Sequence, residues 1–108
     1  MTKFLAIGAL ALLTASSAFA GSQSGRIKTV TLRASDGLVY FVLDGPRVER
    51  PGCNTGDYWM IKDENSPAGK RQLALLLAAR TSQQPISVVG TGTCTRWPDG
   101  EDVNEIYM

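Results

Sequence analysis

The chain has 108 residues, a formal net charge of +1 and no histidine. This length fits one domain with a small core, and such domains often need a disulfide or a partner subunit for stability. The nearly balanced charge argues against a nucleic-acid-binding protein, which would carry a basic excess on one face. Without histidine, Ser-His-Asp and Cys-His catalytic arrangements are impossible.

The first twenty residues have the pattern of a secretory signal peptide. Lys3 supplies a positive start, residues 4–13 form an apolar run without charge, and Ala18-Phe19-Ala20 is a small-x-small cleavage site. The apolar run is too short for a stable membrane span, so a retained anchor is the weaker alternative. We therefore expect residues 1–20 to be removed and residues 21–108 to form a single exported domain, periplasmic or secreted, with no membrane span and no net charge.

Cys53 and Cys94 are the only cysteines of the chain. In an oxidising compartment, an even pair of cysteines is typical of a disulfide. Free thiols are one alternative. A metal site is another, but no histidine or third cysteine exists to complete the ligands. We expect a Cys53–Cys94 disulfide, no metal and no cofactor.

The exported part begins with a predicted hairpin. Residues 22–24 form a small polar leader that we expect to be frayed. Residues 26–34 are rich in β-branched residues and alternate apolar with polar ones, as a half-buried strand does. Residues 35–37, Ser-Asp-Gly, favour a turn, and residues 38–43 are apolar throughout, which predicts a central strand.

A loop and a short third strand follow the hairpin. Residues 48–57 contain Pro51, Gly52 and Gly56, which favour a loop, together with Cys53. Residues 58–62 predict the third strand. Because side chains alternate along a strand, Tyr58 and Trp59 should point to opposite faces, one into the core and the other toward solvent or a subunit interface.

The only convincing helix of the exported part covers Ser66–Arg80. Ser66 can accept a hydrogen bond from the first turn, and Pro67 suits the first helical position because its missing N–H would be unpaired there. Pro85 prevents the helix from continuing. The predicted buried face consists of Leu73, Leu76 and Leu77.

Two strands are predicted after the helix. Residues 86–94 form the fourth, in which Gly90 and Gly92 indicate a bulge or a bend. Residues 97–101 form a loop, and residues 102–107 form a fifth, edge-like strand. The order β-β-β-α-β-β is that of an OB-fold, a five-stranded Greek-key barrel, with the helix closing one end. A two-layer α/β sandwich and a cystatin-like curved sheet are the alternatives to this mainly β fold with one helix.

Several segments together resemble a known family. A signal peptide, a hairpin ending in Tyr40–Gly45, a cysteine soon after it, a Leu/Ala-rich helix and then Gln84–Val88 are similar to the small B subunits of bacterial AB5 toxins, especially the subtilase-cytotoxin and pertussis-like ones. The resemblance implies an OB-fold, a ring-shaped homopentamer whose helices line a central pore, a toxin A subunit as partner, and binding of sialylated or other host glycans.

Six residues are candidate glycan contacts. An exposed Trp97 could stack on a sugar, with its charged neighbours hydrogen-bonding the sugar's hydroxyls or carboxylate. The hairpin tip lies where the resembling family places part of its glycan site. The full set is Arg33, Ser35, Asp36, Arg96, Trp97 and Asp99. The alternatives are that Trp97 folds back over the barrel mouth as core, and that Ser35 and Asp36 only form the turn.

Paired carboxylates are the only conventional catalytic option that remains. Glycosidases hold two carboxyl groups across a cleft, roughly 5–9 Å apart, and neighbouring loop residues do not establish that geometry. The candidates are Asp63, Glu64, Asp99, Glu101 and Asp102, for which turn formation and solubility are the favoured interpretation. The Asp-Gly-Glu-Asp run also lacks the spacing of an EF-hand calcium loop.

We therefore expect no catalytic residues and no enzyme. The family resemblance implies a secreted, non-catalytic binding subunit that recognises host cell-surface glycans within an AB5-type toxin. The first alternative is a monomeric periplasmic protein-binding or inhibitor domain of OB-fold type. The second is a small secreted hydrolase that uses carboxylates.

Overall fold

The computed structural model describes residues 19–108, so nearly all of the expected signal peptide, residues 1–20, lies outside the described residues. The described part contains one helix and seven strands. Their bounds are β1 Ser22–Gly25, β2 Ile27–Leu32, β3 Val39–Leu43, β4 Arg47–Glu49, β5 Trp59–Met60, α1 Pro67–Ser82, β6 Ile86–Gly90 and β7 Glu101–Tyr107. The expected mainly β fold with one helix is confirmed. Over residues 19–108, no helix is long and apolar enough to cross a membrane.

The strands form one mixed sheet in the order β2-β3-β5-β7-β6-β1-β4. Neighbouring strands are antiparallel except for β5 and β7, which run parallel. The hydrogen-bonded ladder ends at β2 on one side and at β4 on the other, so the sheet is not closed into a barrel. The five expected strands correspond to β2, β3, β5, β6 and β7.

The two additional strands correct the predicted boundaries near the start of the domain. Residues 22–24, expected to be frayed, belong to β1, which pairs with β6 on one side and β4 on the other. Strand β4 includes residues that were assigned to a loop. Strand β1 has no apolar residue, and β4 has only three residues with its single apolar side chain, Val48, exposed. Their pairing with neighbouring strands, rather than local sequence preference, therefore holds them extended.

The C-terminal strands also differ from the prediction. Strand β6 ends at Gly90, four residues before Cys94, although the expected irregularity is present as a register shift between Val89 and Gly90. Strand β7 is interior, between β5 and β6, and the edge-strand prediction was wrong. Its acidic start misled the prediction, because Glu101 and Asp102 are fully buried and their carboxylates accept hydrogen bonds inside the protein.

The expected hairpin between β2 and β3 is confirmed, with Val30 opposite Phe41 and Leu32 opposite Val39. The third strand is shorter than the predicted residues 58–62 and comprises only Trp59–Met60. Trp59 is buried in the core, while its neighbour Tyr58 is half-buried. The core combines both halves of the sheet with the helix. Its buried residues are Ile27, Val39, Phe41, Leu43, Trp59, Ile61, Leu76, Ala79, Ile86, Val88 and Val103.

Helix α1 starts where the sequence predicts. The Ser66 hydroxyl accepts a 2.9 Å hydrogen bond from the N–H of Gly69, and Pro67 occupies the first position. The Gly69 backbone packs closely, because a Cβ there would lie 1.9 Å from the Asp63 carbonyl oxygen.

The predicted apolar face of α1 is corrected at one position. Leu76 is fully buried, and Leu73 packs against the core. Leu77, however, is 47 % exposed, because each residue turns the helix by about 100° away from the residue before it. Ala79 completes the buried stripe instead.

Candidate functional site

A small cavity lies between the tip of the β2–β3 hairpin and the loop of residues 95–100. Its volume is about 140 Å³. It combines three aromatic rings with two aliphatic side chains and one guanidinium group. The lining residues are Arg33, Leu38, Tyr40, Tyr58, Met60 and Trp97, and we call this cavity the aromatic pocket.

A cation–π contact forms one wall of the aromatic pocket. The guanidinium carbon of Arg33 lies 5.1 Å from the centroid of the Trp97 ring, within the range of cation–π attraction. Trp97 is 38 % exposed, so it is not a core residue folded over the sheet. An exposed indole beside a cation can still offer part of its surface to a ligand.

The side chain of Asp36 fixes the orientation of Arg33. Arg33 donates from Nε to Asp36 Oδ1 at 3.0 Å and from Nη2 to Oδ2 at 2.5 Å. Asp36 Oδ1 also accepts the N–H of Leu38 at 3.2 Å, which closes the hairpin turn. The hydrogen bonds from Arg33 lower the pKa of Asp36 to about 2. Asp36 therefore positions a pocket residue, in addition to forming the turn as the sequence suggested.

Two tyrosines form the opposite wall. The rings of Tyr40 and Tyr58 are 5.6 Å apart and tilted by 57°. The Tyr58 hydroxyl donates to the Asp99 carboxylate. Burial of the phenol and this acceptor raise the pKa of Tyr58 to about 12. The Tyr40 hydroxyl makes no hydrogen bond to any of residues 19–108, so it remains available to a ligand.

Arg96 lies outside the pocket and joins three segments. It donates from Nε to Glu64 Oε2 at 3.1 Å and from Nη2 to Glu64 Oε1 at 2.8 Å, in a two-point ion pair. Its Nη2 also donates to the Asp36 carbonyl at 2.8 Å. These bonds connect the loop before α1, the hairpin tip and the 95–100 loop. They hold the pKa of Glu64 below its ordinary value. Arg96 is therefore a positioning residue.

The buried carboxylate of Asp102 anchors the start of the same loop. Its Oδ2 accepts from the N–H of Thr95 at 2.9 Å and from the hydroxyls of Thr95 at 2.6 Å and Thr93 at 3.1 Å. Its Oδ1 accepts the N–H of Arg96 at 3.1 Å. Two backbone N–H groups and two hydroxyls thus donate hydrogen bonds to the charged carboxylate of Asp102. These bonds fix the position at which the loop begins.

The acidic residues therefore have roles different from those expected. Glu101 and Asp102 are fully buried in β7, so their interpretation as solvated turn residues was wrong. Asp99 binds Tyr58, and Glu64 binds Arg96. Only Asp63 stays with the favoured interpretation, since it is exposed and accepts the N–H of Asn65 at 3.0 Å in a turn.

The disulfide between Cys53 and Cys94 is present, with the two Cα atoms 6.1 Å apart. It joins the loop after β4 to the connection between β6 and β7. The Asp99 carbonyl adds two hydrogen bonds between the same regions, from the N–H groups of Thr55 at 3.1 Å and Gly56 at 3.2 Å. The loop that carries Trp97 is thus held at several points.

The structure places two of the six candidate residues, Arg33 and Trp97, in the pocket itself. Asp36 and Asp99 lie behind it as positioning groups, Arg96 ties the loops together, and Ser35 is exposed at the hairpin tip. The sequence reasoning did not assign Leu38, Tyr40, Tyr58 and Met60 to the site. Strand alternation predicted that Tyr58 and Trp59 point to opposite faces of the sheet. The position of Tyr40 beside Tyr58, however, depends on the pairing of β3 with β5.

Within residues 19–108, no group of three or more histidine, cysteine or acidic side chains is arranged to hold a metal ion. No family model, no curated protein and no solved structure matches the chain. The resemblance to AB5 toxin B subunits therefore rests on the sequence segments alone.

Proposed function

We propose that this protein is an exported, non-catalytic binding protein whose aromatic pocket recognises one sugar unit of a glycan. The observation that carries the proposal is the exposed Trp97 beside the Arg33 guanidinium in a concave, ring-lined site. Aromatic rings pack against the apolar face of a sugar, while polar groups placed at the rim hydrogen-bond its hydroxyls. A cavity of about 140 Å³ suits one sugar unit at the end of a chain better than a long oligosaccharide.

Two polar groups are free to fix the sugar's orientation. The Tyr40 hydroxyl and Arg33 Nη1 make no hydrogen bond within residues 19–108, although the other two nitrogens of Arg33 are engaged by Asp36. A guanidinium N–H pairs well with a carboxylate, and less strongly with a hydroxyl. We therefore propose an acidic sugar as the preferred unit, in line with the sialylated glycans that the family resemblance implies.

The proposed fold is a variant of the OB-fold. Strands β1 and β2 are separated by Arg26 alone, yet β1 pairs with β6 and β2 pairs with β3. One nearly continuous N-terminal segment thus reaches both sides of the β3-β5-β7-β6 group, as the first strand of a partly open Greek-key barrel would. The parallel pairing of β5 with β7, on either side of α1 in sequence, also supports this proposal.

The proposed assembly is a homopentamer with an AB5-type A subunit as partner. Its support is the apolar residue Leu77 on α1, which is 47 % exposed, on a helix whose Lys70 and Arg71 are also exposed. A helix that lines a pore between subunits needs a second face to contact its neighbours. Leu77 would supply an apolar contact on that face.

Glycan-array screening of residues 21–108 tests the binding proposal, followed by titration of the glycans that bind. Because Trp59 is buried, ligand-induced fluorescence changes would report mainly on Trp97. Trp97→Ala should weaken binding about tenfold, the equivalent of one stacked ring. Tyr40→Phe should weaken it about fivefold by removing one hydrogen bond. The matched control is Tyr107→Phe, which removes an exposed hydroxyl outside the pocket.

Removal of the acidic sugar from a glycan that binds should abolish binding if Arg33 reads a carboxylate. A folded protein that binds no glycan, or binds one equally well after Trp97→Ala, would refute the proposal.

Light scattering on residues 21–108 tests the assembly. We expect a pentamer that Leu77→Lys dissociates without unfolding, because Leu77 is already exposed in the isolated chain. Ala78→Lys is a matched control at the next residue, which is also exposed but points about 100° away from Leu77 around the helix. A monomeric wild type would refute the ring and favour the protein-binding or inhibitor alternative, while leaving the glycan proposal to its own test.

A further inference from the structure

Glu101 is a fully buried acidic residue whose partners do not account for its charge. Its Oε2 accepts the N–H of Gly21 at 2.9 Å and the N–H of Gly92 at 3.0 Å. Its Oε1 is buried and has no hydrogen-bond partner among residues 19–108. None of the ion pairs in this part of the chain includes Glu101. A carboxylate in the interior is strongly disfavoured unless a positive group or further donors complete its environment.

The cationic side chain of Arg47 does not fill this role. The guanidinium of Arg47 attracts Glu101 electrostatically. Its carbon, however, lies 3.7 Å from the centroid of the Trp59 ring, and its Nε and Nη2 have no partner of their own among residues 19–108. Oε1 of Glu101 therefore lacks a donor among residues 19–108.

Gly21 lies directly against that carboxylate. The residue is buried, and a Cβ added to it would lie 2.5 Å from Glu101 Oε1 and 2.3 Å from the carbonyl oxygen of Glu49. Only glycine fits this position. The two preceding residues, Phe19 and Ala20, are exposed, so the chain enters the protein interior at Gly21.

We infer that cleavage of the bond between Ala20 and Gly21 creates a buried ion pair between the new α-ammonium group of Gly21 and the carboxylate of Glu101. The inference rests on the export part of the proposed function, which supplies a leader-removing protease. Hydrolysis adds one water across the peptide bond. Ala20 leaves with the oxygen as a carboxylate, and the nitrogen of Gly21 gains two hydrogens to become –NH₃⁺.

The ammonium group completes the environment of Glu101 in a way that the amide does not. An amide nitrogen has one hydrogen, which is used for Oε2. The ammonium group has three, so it keeps that bond and can also donate to Oε1, which otherwise has no partner. Its positive charge offsets the buried negative charge at hydrogen-bond distance. Removal of the leader thereby stabilises the junction of β1, β7 and the Gly92 turn.

Two steps of the inference are tested separately. Mass spectrometry of the exported protein should give Gly21 as the first residue, and any other N-terminus would refute the processing step. Two chains with defined ends, one starting at Gly21 and one at Ala20, are then prepared by removing a cleavable tag. Urea unfolding should give the Gly21 chain an unfolding constant at least tenfold smaller. Equal constants would refute the ion pair.

The substitution Glu101→Gln sharpens this comparison. Both backbone N–H groups donate to the same oxygen, Oε2, so a glutamine can accept both and place its NH₂ where Oε1 lacks a partner. In the Ala20 chain it should change the unfolding constant less than threefold. In the Gly21 chain it removes the counter-charge of a buried ammonium group, and the constant should rise at least tenfold. The control Glu105→Gln, exposed on the same strand, should act equally in both chains.

The reactivity of the α-amine distinguishes a buried ion pair from a glycine that is needed only for close packing. Only the ion pair would protect the amine from chemical labelling. At neutral pH, reductive methylation should label the folded Gly21 chain at its α-amine at least tenfold more slowly than the Ala20 chain. Equal labelling would refute the buried pair. A chain that binds glycan but shows equal labelling refutes this inference alone. A chain with a protected amine and no glycan binding refutes the proposed binding function alone.

Discussion

The substitution Asp102→Asn should destabilise the protein although it changes one atom. Each carboxylate oxygen of Asp102 accepts a backbone N–H, Oδ2 from Thr95 at 2.9 Å and Oδ1 from Arg96 at 3.1 Å. An asparagine has only one oxygen. Whichever way its amide is turned, its NH₂ group faces one of these two N–H donors, and neither backbone group can rotate to become an acceptor.

The size of the effect follows from these bonds. The N–H groups of Thr95 and Arg96 are part-buried, and a donor left without a partner in the protein costs about 1–3 kcal/mol. The remaining hydrogen bonds, including those from the hydroxyls of Thr93 and Thr95, lose the contribution of the charged acceptor, about 1 kcal/mol more. We expect the free energy of unfolding to fall by about 3 kcal/mol, a large part of the roughly 5–15 kcal/mol typical of a domain.

Urea denaturation measures this change, and amide hydrogen exchange at Thr95 and Arg96 reports where it occurs. The matched control is Asp57→Asn, whose side chain is 85 % exposed and pairs with Arg50 at the surface. It should change the free energy of unfolding by less than about 0.5 kcal/mol. If Asp102→Asn also stays within about 0.5 kcal/mol of the wild type, the buried carboxylate does not organise this loop as argued.

Three further predictions follow from single features of the structure. Cys53→Ser opens a loop with a sequence separation of 41 residues and should lower the free energy of unfolding by about 4 kcal/mol. Urea denaturation against the intact protein measures this loss, and a loss below about 1 kcal/mol would contradict the prediction. The pKa of Tyr58 is raised to about 12, so the stability from its bond to Asp99 is present below about pH 10 and lost as the pH rises through about 12. Ultraviolet titration should show a late ionisation that Tyr58→Phe removes, and ionisation of Tyr58 near its ordinary pKa of about 10 would refute this prediction. Gly90→Ala puts a Cβ 1.8 Å from the buried Oε2 of Glu101 and should lower the free energy of unfolding by about 3 kcal/mol, measured by thermal unfolding. The control Gly52→Ala, whose Cβ would have no atom within 4 Å, should be nearly neutral. Similar losses in both variants would show that the close packing at Gly90 is absent.

Local patterns predicted the elements that depend on neighbouring residues in sequence. The cap at Ser66, the first-turn proline and the Asp-Gly hairpin turn are local, because the partners of each lie within a few residues. The disulfide followed from an even cysteine number in a chain expected to be exported. The helix face was correct at Leu76 and wrong at Leu77, since an apolar run supplies more leucines than one face can bury.

Elements that depend on distant partners were missed. Strands β1 and β4 are short and polar, and they form because other strands supply their hydrogen bonds. The acidic start of β7 looked like a solvated turn, because the donors that satisfy Glu101 and Asp102 lie outside the strand itself. The partners range from six residues away, at Arg96, to eighty, at Gly21.

The candidate site shows the same division. The sequence identified Arg33 and Trp97 from residue chemistry and loop position. It did not place Tyr40 beside Tyr58, which requires the pairing of β3 with β5.

Short-range signals in the sequence were enough to predict one helix with its cap, the hairpin, the cysteine pair and a mainly β domain. They were enough because periodicity, turn chemistry and residue type act over short distances along the chain. The strand order, the burial of the two acidic residues of β7 and the convergence of two loops on the aromatic pocket emerge only in the folded protein. These features arise from contacts between residues far apart in sequence, where the gain from pairing and burial outweighs local preference.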